Sequence, residues 1–232
     1  MRFTSLCPFS LLIALILGCA TPSAPSAPAA GHFVQDAAPD VDHGFTPIRF
    51  GDDDEHAYDV PFFPGATYDP AITTPATLLG QPLGSRLVRH AELVAAFRVW
   101  GQQSARADVA VHSRTYEGRE LLRVVITSEA NHARMAEIQK NARKLWDPRG
   151  LSDAEARRIV DSAPAIAWLG YSIHGDETSG ADASLAVAYH LIAGTDANVT
   201  AMLDDLVIVM DPMMNPDGRM RILNMVEQSA GY

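Results

Sequence analysis

The chain has 232 residues, 47% of them hydrophobic, and a formal net charge of −10. This length and apolar content are sufficient for a folded domain with a buried core. The acidic balance, without any cluster of Lys and Arg, excludes nucleic acid and an anionic membrane surface as principal partners, because both require a basic binding face.

The N-terminus is typical of an exported protein. Met1 and Arg2 precede an apolar run over residues 11–17, which is too short to span a membrane. The sequence Ile-Leu-Gly-Cys over 16–19 resembles a bacterial lipobox, which predicts a signal peptide over residues 1–19 and lipidation of Cys19. A plain signal peptide cleaved further along stays open as an alternative. We therefore expect export to the bacterial periplasm or cell envelope, with membrane contact only through the lipid anchor.

Residues 20–82 are predicted to form a tether and an irregular lead-in. Pro, Ala and Ser dominate residues 21–30, a composition typical of a spacer. Both cysteines, Cys7 and Cys19, precede this segment. The folded part therefore has neither a disulfide nor a thiolate metal site, and any metal must be bound by His, Asp or Glu.

From residue 83 onward the pattern predicts an α/β domain. Apolar residues at helical spacing indicate helices, and two short runs of β-branched and apolar residues joined through a glycine indicate a hairpin. In chain order we expect a helix, two hairpin strands and two further helices over residues 85–101, 108–113, 120–127, 130–144 and from 152 toward Pro164.

The second half of this domain predicts a strand, two helices and a strand, over residues 165–171, 180–192, 197–203 and 206–210. A strand, helix and strand in this order form a right-handed crossover between parallel strands. The carboxyl ends of the two strands then lie side by side, at the edge where α/β sheets place their active sites.

His174 and Glu177 follow the first of these strands. An imidazole at a strand end and a carboxylate three residues later can converge on one cation, because the turn through Gly175 folds the chain back between them. Zinc is the metal that such donors favour. A hydrogen-bonded structural histidine is the alternative interpretation of this spacing.

The sequence Asn-Pro-Asp-Gly over residues 215–218 follows the second strand. Proline at its second position predicts a type I turn beside the His174 turn. Arg219 and Arg221 come directly after it, and we expect both to lie in a solvated loop rather than to bind a substrate carboxylate.

Three motifs in this order resemble the zinc metallocarboxypeptidase family related to pancreatic carboxypeptidase A, over residues 116–121, 174–180 and 215–219. The resemblance extends over about residues 85–232. It implies that residues 83–232 are the N-terminal part of a catalytic domain, with a three-layer α/β/α sandwich around a mixed, largely parallel sheet. It also implies that His174 and Glu177 are the first two ligands of one Zn²⁺ ion.

In that family a second His ligand, an Arg that binds the substrate carboxylate and a Glu that acts as general base all follow the Asn-Pro-Asp-Gly turn. This chain ends at Tyr232. The resemblance therefore implies a truncated domain that lacks the third ligand and any catalytic residue, and we expect it to hold zinc weakly without turnover. Asp176 departs from the pancreatic pattern, which has Arg there. The complete protein would hydrolyse peptide bonds with a zinc-activated water.

Two alternatives stay open. Deacylases related to aspartoacylase also place a His-Gly-x-Glu sequence ahead of a helix, and they cleave the amide of N-acyl amino acids. A lipid-tethered binding module would keep the scaffold without catalysis, because function resides in the site and not in the fold.

Overall fold

The computed structural model describes residues 61–229. The signal peptide, the lipidation of Cys19 and the tether over residues 20–60 are predictions that lie outside the described residues. Within residues 61–229, no helix is both long and apolar enough to cross a membrane.

The described residues contain eight helices and four strands. The helices are α1 Pro75–Leu79, α2 His90–Gln103, α3 Glu129–Ala133, α4 Met135–Trp146, α5 Asp153–Ser162, α6 Ser179–Ala193, α7 Ala197–Asp205 and α8 Pro216–Ser229. The strands are β1 Ala107–Arg114, β2 Glu120–Ile126, β3 Ala165–Gly170 and β4 Leu206–Asp211. The predicted helices and strands occur in the predicted order, and the chain is a mixed α/β protein. Helix α1, in the segment expected to be an irregular lead-in, and helix α8, after the last predicted strand, were not predicted.

The four strands form one open mixed sheet in the order β1-β2-β4-β3. The pair β3 and β4 is parallel, as the crossover pattern predicts, with Gly170 opposite Asp211. The pairs β1–β2 and β2–β4 are antiparallel. The sheet over the described residues is therefore mixed, as predicted, but it is not largely parallel. A short hairpin can join only antiparallel strands, which accounts for the β1–β2 pair. The second antiparallel pair arises because β4 lies between β2 and β3 and runs against β2.

Two of the predicted helices have different bounds in the structure. The helix expected from residue 85 begins at His90, because Arg89 before it is extended, with φ −80° and ψ 152°. The Val88 N–H donates to the Asp182 carboxylate at 2.9 Å instead of to a helical partner. The helix expected over 130–144 is divided at Arg134, whose φ of −110° and ψ of 19° are not helical.

The core has two parts, one on each side of β2. Alternate residues of a strand point to opposite faces, and Val124 and Ile126 belong to the large apolar cluster that includes residues of α2 and α6. Val125, between them, packs with Ile138 of α4 and Val207 of β4 in a smaller cluster. The sheet therefore carries helices on both faces.

The lead-in contributes to the large cluster as well. Ile72 and Leu79 are buried in it, and the Trp100 indole N–H donates to the Thr73 carbonyl at 2.8 Å. Strand β3 lies at one edge of the sheet in the described part of the chain. Its residues Ile166 and Trp168 are exposed.

Candidate metal centre

The His174 turn begins at the carboxyl end of β3 and ends at the first residue of α6. Beyond the last paired residues of β3 and β4, backbone hydrogen bonds continue to join the two segments that follow these strands. The Tyr171 N–H donates to the Asp211 carbonyl at 2.9 Å, and the amides of Met214 and Asn215 donate to the Tyr171 and Ser172 carbonyls at 2.9 and 3.0 Å. The segments that follow β3 and β4 therefore remain side by side, as the parallel pairing predicts.

Ser172 starts the turn in an uncommon backbone conformation. Its φ is 53°, and it is the one non-glycine residue with a positive φ in residues 61–229. The residue is buried, and its hydroxyl oxygen has no hydrogen-bond partner in the described part. Both features cost free energy, because a side chain crowds the left-handed region and a buried hydroxyl loses its water.

Replacement of Ser172 by Gly removes both costs, which is expected to raise the free energy of unfolding by about 1 kcal/mol. The greater conformational entropy of Gly in the unfolded chain offsets part of this gain. Ser172→Ala is the matched variant, since it removes the hydroxyl and keeps the crowding at Cβ. We expect urea unfolding to order the three proteins with Gly most stable and Ser least. A glycine variant less stable than the alanine variant would show that the positive φ is not costly here.

Gly175 lies at the centre of the turn, against the start of α8. A Cβ on Gly175 would lie 2.1 Å from the Arg219 backbone nitrogen and 2.2 Å from the Gly218 carbonyl carbon. Only glycine leaves room for this contact. The turn that carries His174 is thus packed directly on the Asn-Pro-Asp-Gly segment.

The side chains of His174 and Glu177 lie together, as the sequence predicts. Nδ1 of His174 is 2.9 Å from Oε1 of Glu177, and the two side chains are 65% and 64% exposed. The hydrogen bond and the charge of Glu177 raise the pKa of His174, and Asp176 contributes a smaller effect in the same direction. The imidazole and the carboxylate thus point at one place that solvent reaches.

This donor pair fits part of a zinc site. Imidazole nitrogen and carboxylate oxygen are ordinary zinc ligands, and two ligands of one tetrahedral zinc lie roughly 3.4 Å apart when each bond is about 2.1 Å. The observed separation of 2.9 Å needs only a small opening to reach that value. Within residues 61–229, however, no group of three His, Cys, Asp or Glu side chains is placed to hold a metal ion.

The Asn-Pro-Asp-Gly segment is the first turn of α8 and not an isolated type I turn. Asn215 caps the helix, since its side-chain oxygen accepts the Gly218 N–H at 2.9 Å, and Pro216 occupies the first helical position. An asparagine cap followed by proline is a favoured helix start. Pro-Asp-Gly has the same initial backbone in a turn and in a helix, which explains why the local pattern indicated a turn.

Asp217 connects this helix start to the β1–β2 hairpin. Its carboxylate accepts hydrogen bonds from Thr115 Oγ1 at 2.8 Å, from the Glu117 N–H at 3.2 Å and from the Arg119 guanidinium at 2.6 Å. Arg221 is exposed, as expected, but it lies in α8 and not in a loop, and it pairs with Glu117 at 2.7 Å. All three sequence motifs therefore meet in one network of contacts.

The solvated position expected for Arg219 is wrong. The residue is fully buried and forms an ion pair with Asp182 of α6 at 2.5 Å. Burial of the guanidinium follows from the helical start of the segment, which points position 219 inward. The partner is 37 residues away in sequence, so no local pattern predicts the pair beyond an acidic residue in the first turn of α6.

Asp211 is a second residue that the sequence analysis did not single out. It ends β4, and burial raises the pKa of its carboxyl group, an effect that His112 partly offsets. The His112 Nε2 atom lies 3.5 Å from Asp211 Oδ2, whereas Oδ1 is buried without a partner in the described part. Its position at the carboxyl end of a central strand was the available signal.

Comparison with known proteins assigns the family. A family model for zinc carboxypeptidases matches residues 98–228, which is more than half of the chain. The chain belongs to the zinc carboxypeptidase family. The family predicted from the three motifs is thereby confirmed, and all three lie within the matched residues.

A search of curated protein sequences gives no match to this zinc carboxypeptidase family member. Among solved structures it is similar to carboxypeptidase A from Helicoverpa armigera, with 16% sequence identity and a TM-score of 0.41. The alignment covers 64% of this chain and 32% of that one. The chain thus spans about a third of the length of that structure.

Proposed function

We propose that this chain supplies His174 and Glu177 as two ligands of one Zn²⁺ ion in a metallocarboxypeptidase-type enzyme that hydrolyses peptide bonds. The observation that carries the proposal is the 2.9 Å approach of His174 Nδ1 to Glu177 Oε1, on a turn at the carboxyl end of β3. Both residues lie within the part of the chain that matches the zinc carboxypeptidase family.

The remaining donor groups come from outside residues 61–229 in this proposal, as does the general base. When bound, zinc lowers the pKa of its water to about 7 and polarises the scissile carbonyl. The part of His174 and Glu177 is to hold the ion at an exposed position that a peptide can reach. Because His174 must be neutral to bind, and Glu177 raises its pKa, metal binding weakens as the pH falls through that raised pKa.

The experiment that tests the proposal is a zinc titration of the 232-residue protein by calorimetry, with competition by a chelator. We expect one saturable site. His174→Ala and Glu177→Gln should each weaken zinc binding by more than roughly 100-fold, since even residues that only orient ligands contribute about 10–100-fold.

His112→Ala is the matched control, because His112 and Asp211 form a second imidazole and carboxylate pair at the same end of the sheet, with the Asp211 side chain only 15% exposed. Its zinc affinity should equal that of the unchanged protein. The proposal fails if the protein binds no zinc at a single site, or if His174→Ala binds it as tightly as the unchanged chain does.

Peptide hydrolysis is the activity that family membership favours over the deacylase alternative. Assaying the zinc-loaded full gene product against peptides and N-acyl amino acids separates the two, and hydrolysis of N-acyl amino acids alone would exclude the peptidase. A non-catalytic zinc-binding module is the second candidate, which the presence of only two donors within residues 61–229 favours.

The three-layer α/β/α arrangement of the whole domain belongs to the same proposal, and the helices on both faces of β2 support it.

The cellular location is a proposal of its own. The lipobox-like sequence before Cys19 and the following Pro/Ala/Ser segment support a lipid-anchored protein of the bacterial cell envelope. Mass spectrometry of the N-terminal peptide tests it, and a mature protein without an acyl group on Cys19 would exclude the anchor.

A further inference from the structure

Arg219 makes an unusual set of contacts for a buried arginine. Its guanidinium donates to the Asp182 carboxylate at 2.5 Å, to the Val88 carbonyl at 3.3 and 3.4 Å, and to the Thr178 carbonyl. Asp182 is itself only 12% exposed. Burying a guanidinium is costly unless its charge and its N–H groups are satisfied, and here three residues from two segments satisfy them.

Two of these residues lie at the end of the His174 turn and in the helix that follows it. Thr178 directly follows Glu177, and Asp182 lies in the first turn of the same helix, α6. The other oxygen of Asp182 accepts the Val88 N–H at 2.9 Å, which closes a ring of hydrogen bonds between the start of α6, the lead-in to α2 and α8. Arg219 thus holds the end of the turn.

The backbone of Arg219 also contacts the middle of the turn, where Gly175 packs on its nitrogen. His174 lies just before this contact, and Glu177 just before the Thr178 contact. Both side chains are exposed, and within the described residues their hydrogen bond is to each other. Their separation therefore depends on the backbone between the two points that Arg219 holds.

We propose that Arg219, held by Asp182, is a positioning residue that sets the separation of His174 and Glu177 through the Thr178 carbonyl. It acts through the turn and touches neither metal nor substrate. The inference rests on the proposed function. It assigns Arg219, the last residue of the third motif, an indirect role in metal binding in addition to its structural role.

The test exploits the difference between positioning and simple stabilisation. A buried ion pair is often replaceable by uncharged residues without loss of stability, provided that no charge is left buried alone. The double variant Arg219→Met with Asp182→Asn removes both charges and the bond to Thr178. It keeps a side-chain oxygen at position 182 for the Val88 N–H. We expect it to stay folded with a looser turn.

Two measurements on the 232-residue protein decide the matter. The first is hydrogen exchange at the Met214 and Asn215 amides, which bond to the turn. We expect exchange at least about tenfold faster in the double variant, with core amides of β2 unchanged. The second is the zinc dissociation constant, which should rise by roughly 10–100-fold. Arg219→Lys with Asp182 intact should recover part of both.

Arg106→Met is the matched control. Arg106 also donates to a backbone carbonyl, that of Gly194 at 2.6 Å, but at the opposite end of the sheet. It should change neither the exchange at Met214 and Asn215 nor the zinc affinity.

Unchanged exchange at these amides, or equal acceleration at every core amide, would overturn the inference, as would a selective loosening with unchanged zinc affinity. If the unchanged protein binds no zinc, the proposed function fails separately, and the exchange measurement still decides whether Arg219 holds the turn.

Discussion

Replacing Gly175 by Ala should lower the free energy of unfolding by about 3 kcal/mol, the upper end of the usual range for overpacking. The added methyl group would lie 2.1 and 2.2 Å from backbone atoms of Arg219 and Gly218, and backbone at a helix start cannot move aside as a flexible side chain can. The His174 turn must separate from α8 instead. Urea unfolding and a zinc titration measure the two consequences, which are lower stability and weaker zinc binding.

Gly180→Ala is the control for this substitution. Gly180 lies in the first turn of α6, and a Cβ there would be 3.1 Å from the Ser172 nitrogen, which a shift of a few tenths of an ångström relieves. Alanine is also favoured over glycine in a helix by about 1 kcal/mol, which offsets the contact. We expect a change below about 1 kcal/mol. Equal losses for Gly175→Ala and Gly180→Ala would mean that the turn is not tightly packed on α8.

The local parts of the candidate site could be predicted because they depend on neighbours in sequence. An apolar run ends at a glycine-containing turn, and a helical pattern follows it, so His174 and Glu177 were expected to converge. The parallel crossover placed the Asn-Pro-Asp-Gly segment beside that turn. Both conclusions follow from the period of the apolar residues and from the handedness of the connection.

The parts that could not be predicted depend on distant partners. Arg219 is buried against Asp182, whose carboxylate balances its charge. The division between α3 and α4 accompanies contacts of Asn131 with the carbonyls of Leu203 and Asp204. The insertion of β4 between β2 and β3 is likewise set by packing of both faces and not by any local pattern. Polar residues such as Arg219 and Asn131 are usually exposed. A prediction of exposure from residue type is therefore wrong where hydrogen bonds to distant residues replace those to water.

Asn131→Ala is expected to cost about 3 kcal/mol of unfolding free energy, roughly 1 kcal/mol for each of the three hydrogen bonds that its side-chain amide donates. Asn131 is 2% exposed, and its amide group donates to Thr127 Oγ1 at 3.1 Å and to the carbonyls of Leu203 and Asp204 at 3.1 and 2.9 Å. Its side-chain oxygen accepts from Arg134 at 2.9 and 3.2 Å. Alanine leaves these groups without that partner and opens a cavity.

The control is Asn224→Ala, at an exposed position of α8, where we expect a change within about 0.5 kcal/mol. Unfolding in urea, followed by circular dichroism, measures both variants. A loss for Asn131→Ala no larger than that for Asn224→Ala would contradict the importance of the network.

Asn131 also separates support of the fold from support of the site. Its contacts tie the segment after β2 to the amino end of β4, whereas Asp211 and the His174 turn lie at the carboxyl end of that strand. Asn131→Ala should therefore lower stability while leaving the zinc affinity of the folded protein unchanged. The Arg219 and Asp182 double variant should do the reverse. If the Asn131 variant loses only stability and the double variant loses only zinc affinity, then the contacts around the turn determine metal binding. If zinc affinity depended on general stability, the Asn131 variant would lose zinc affinity as well.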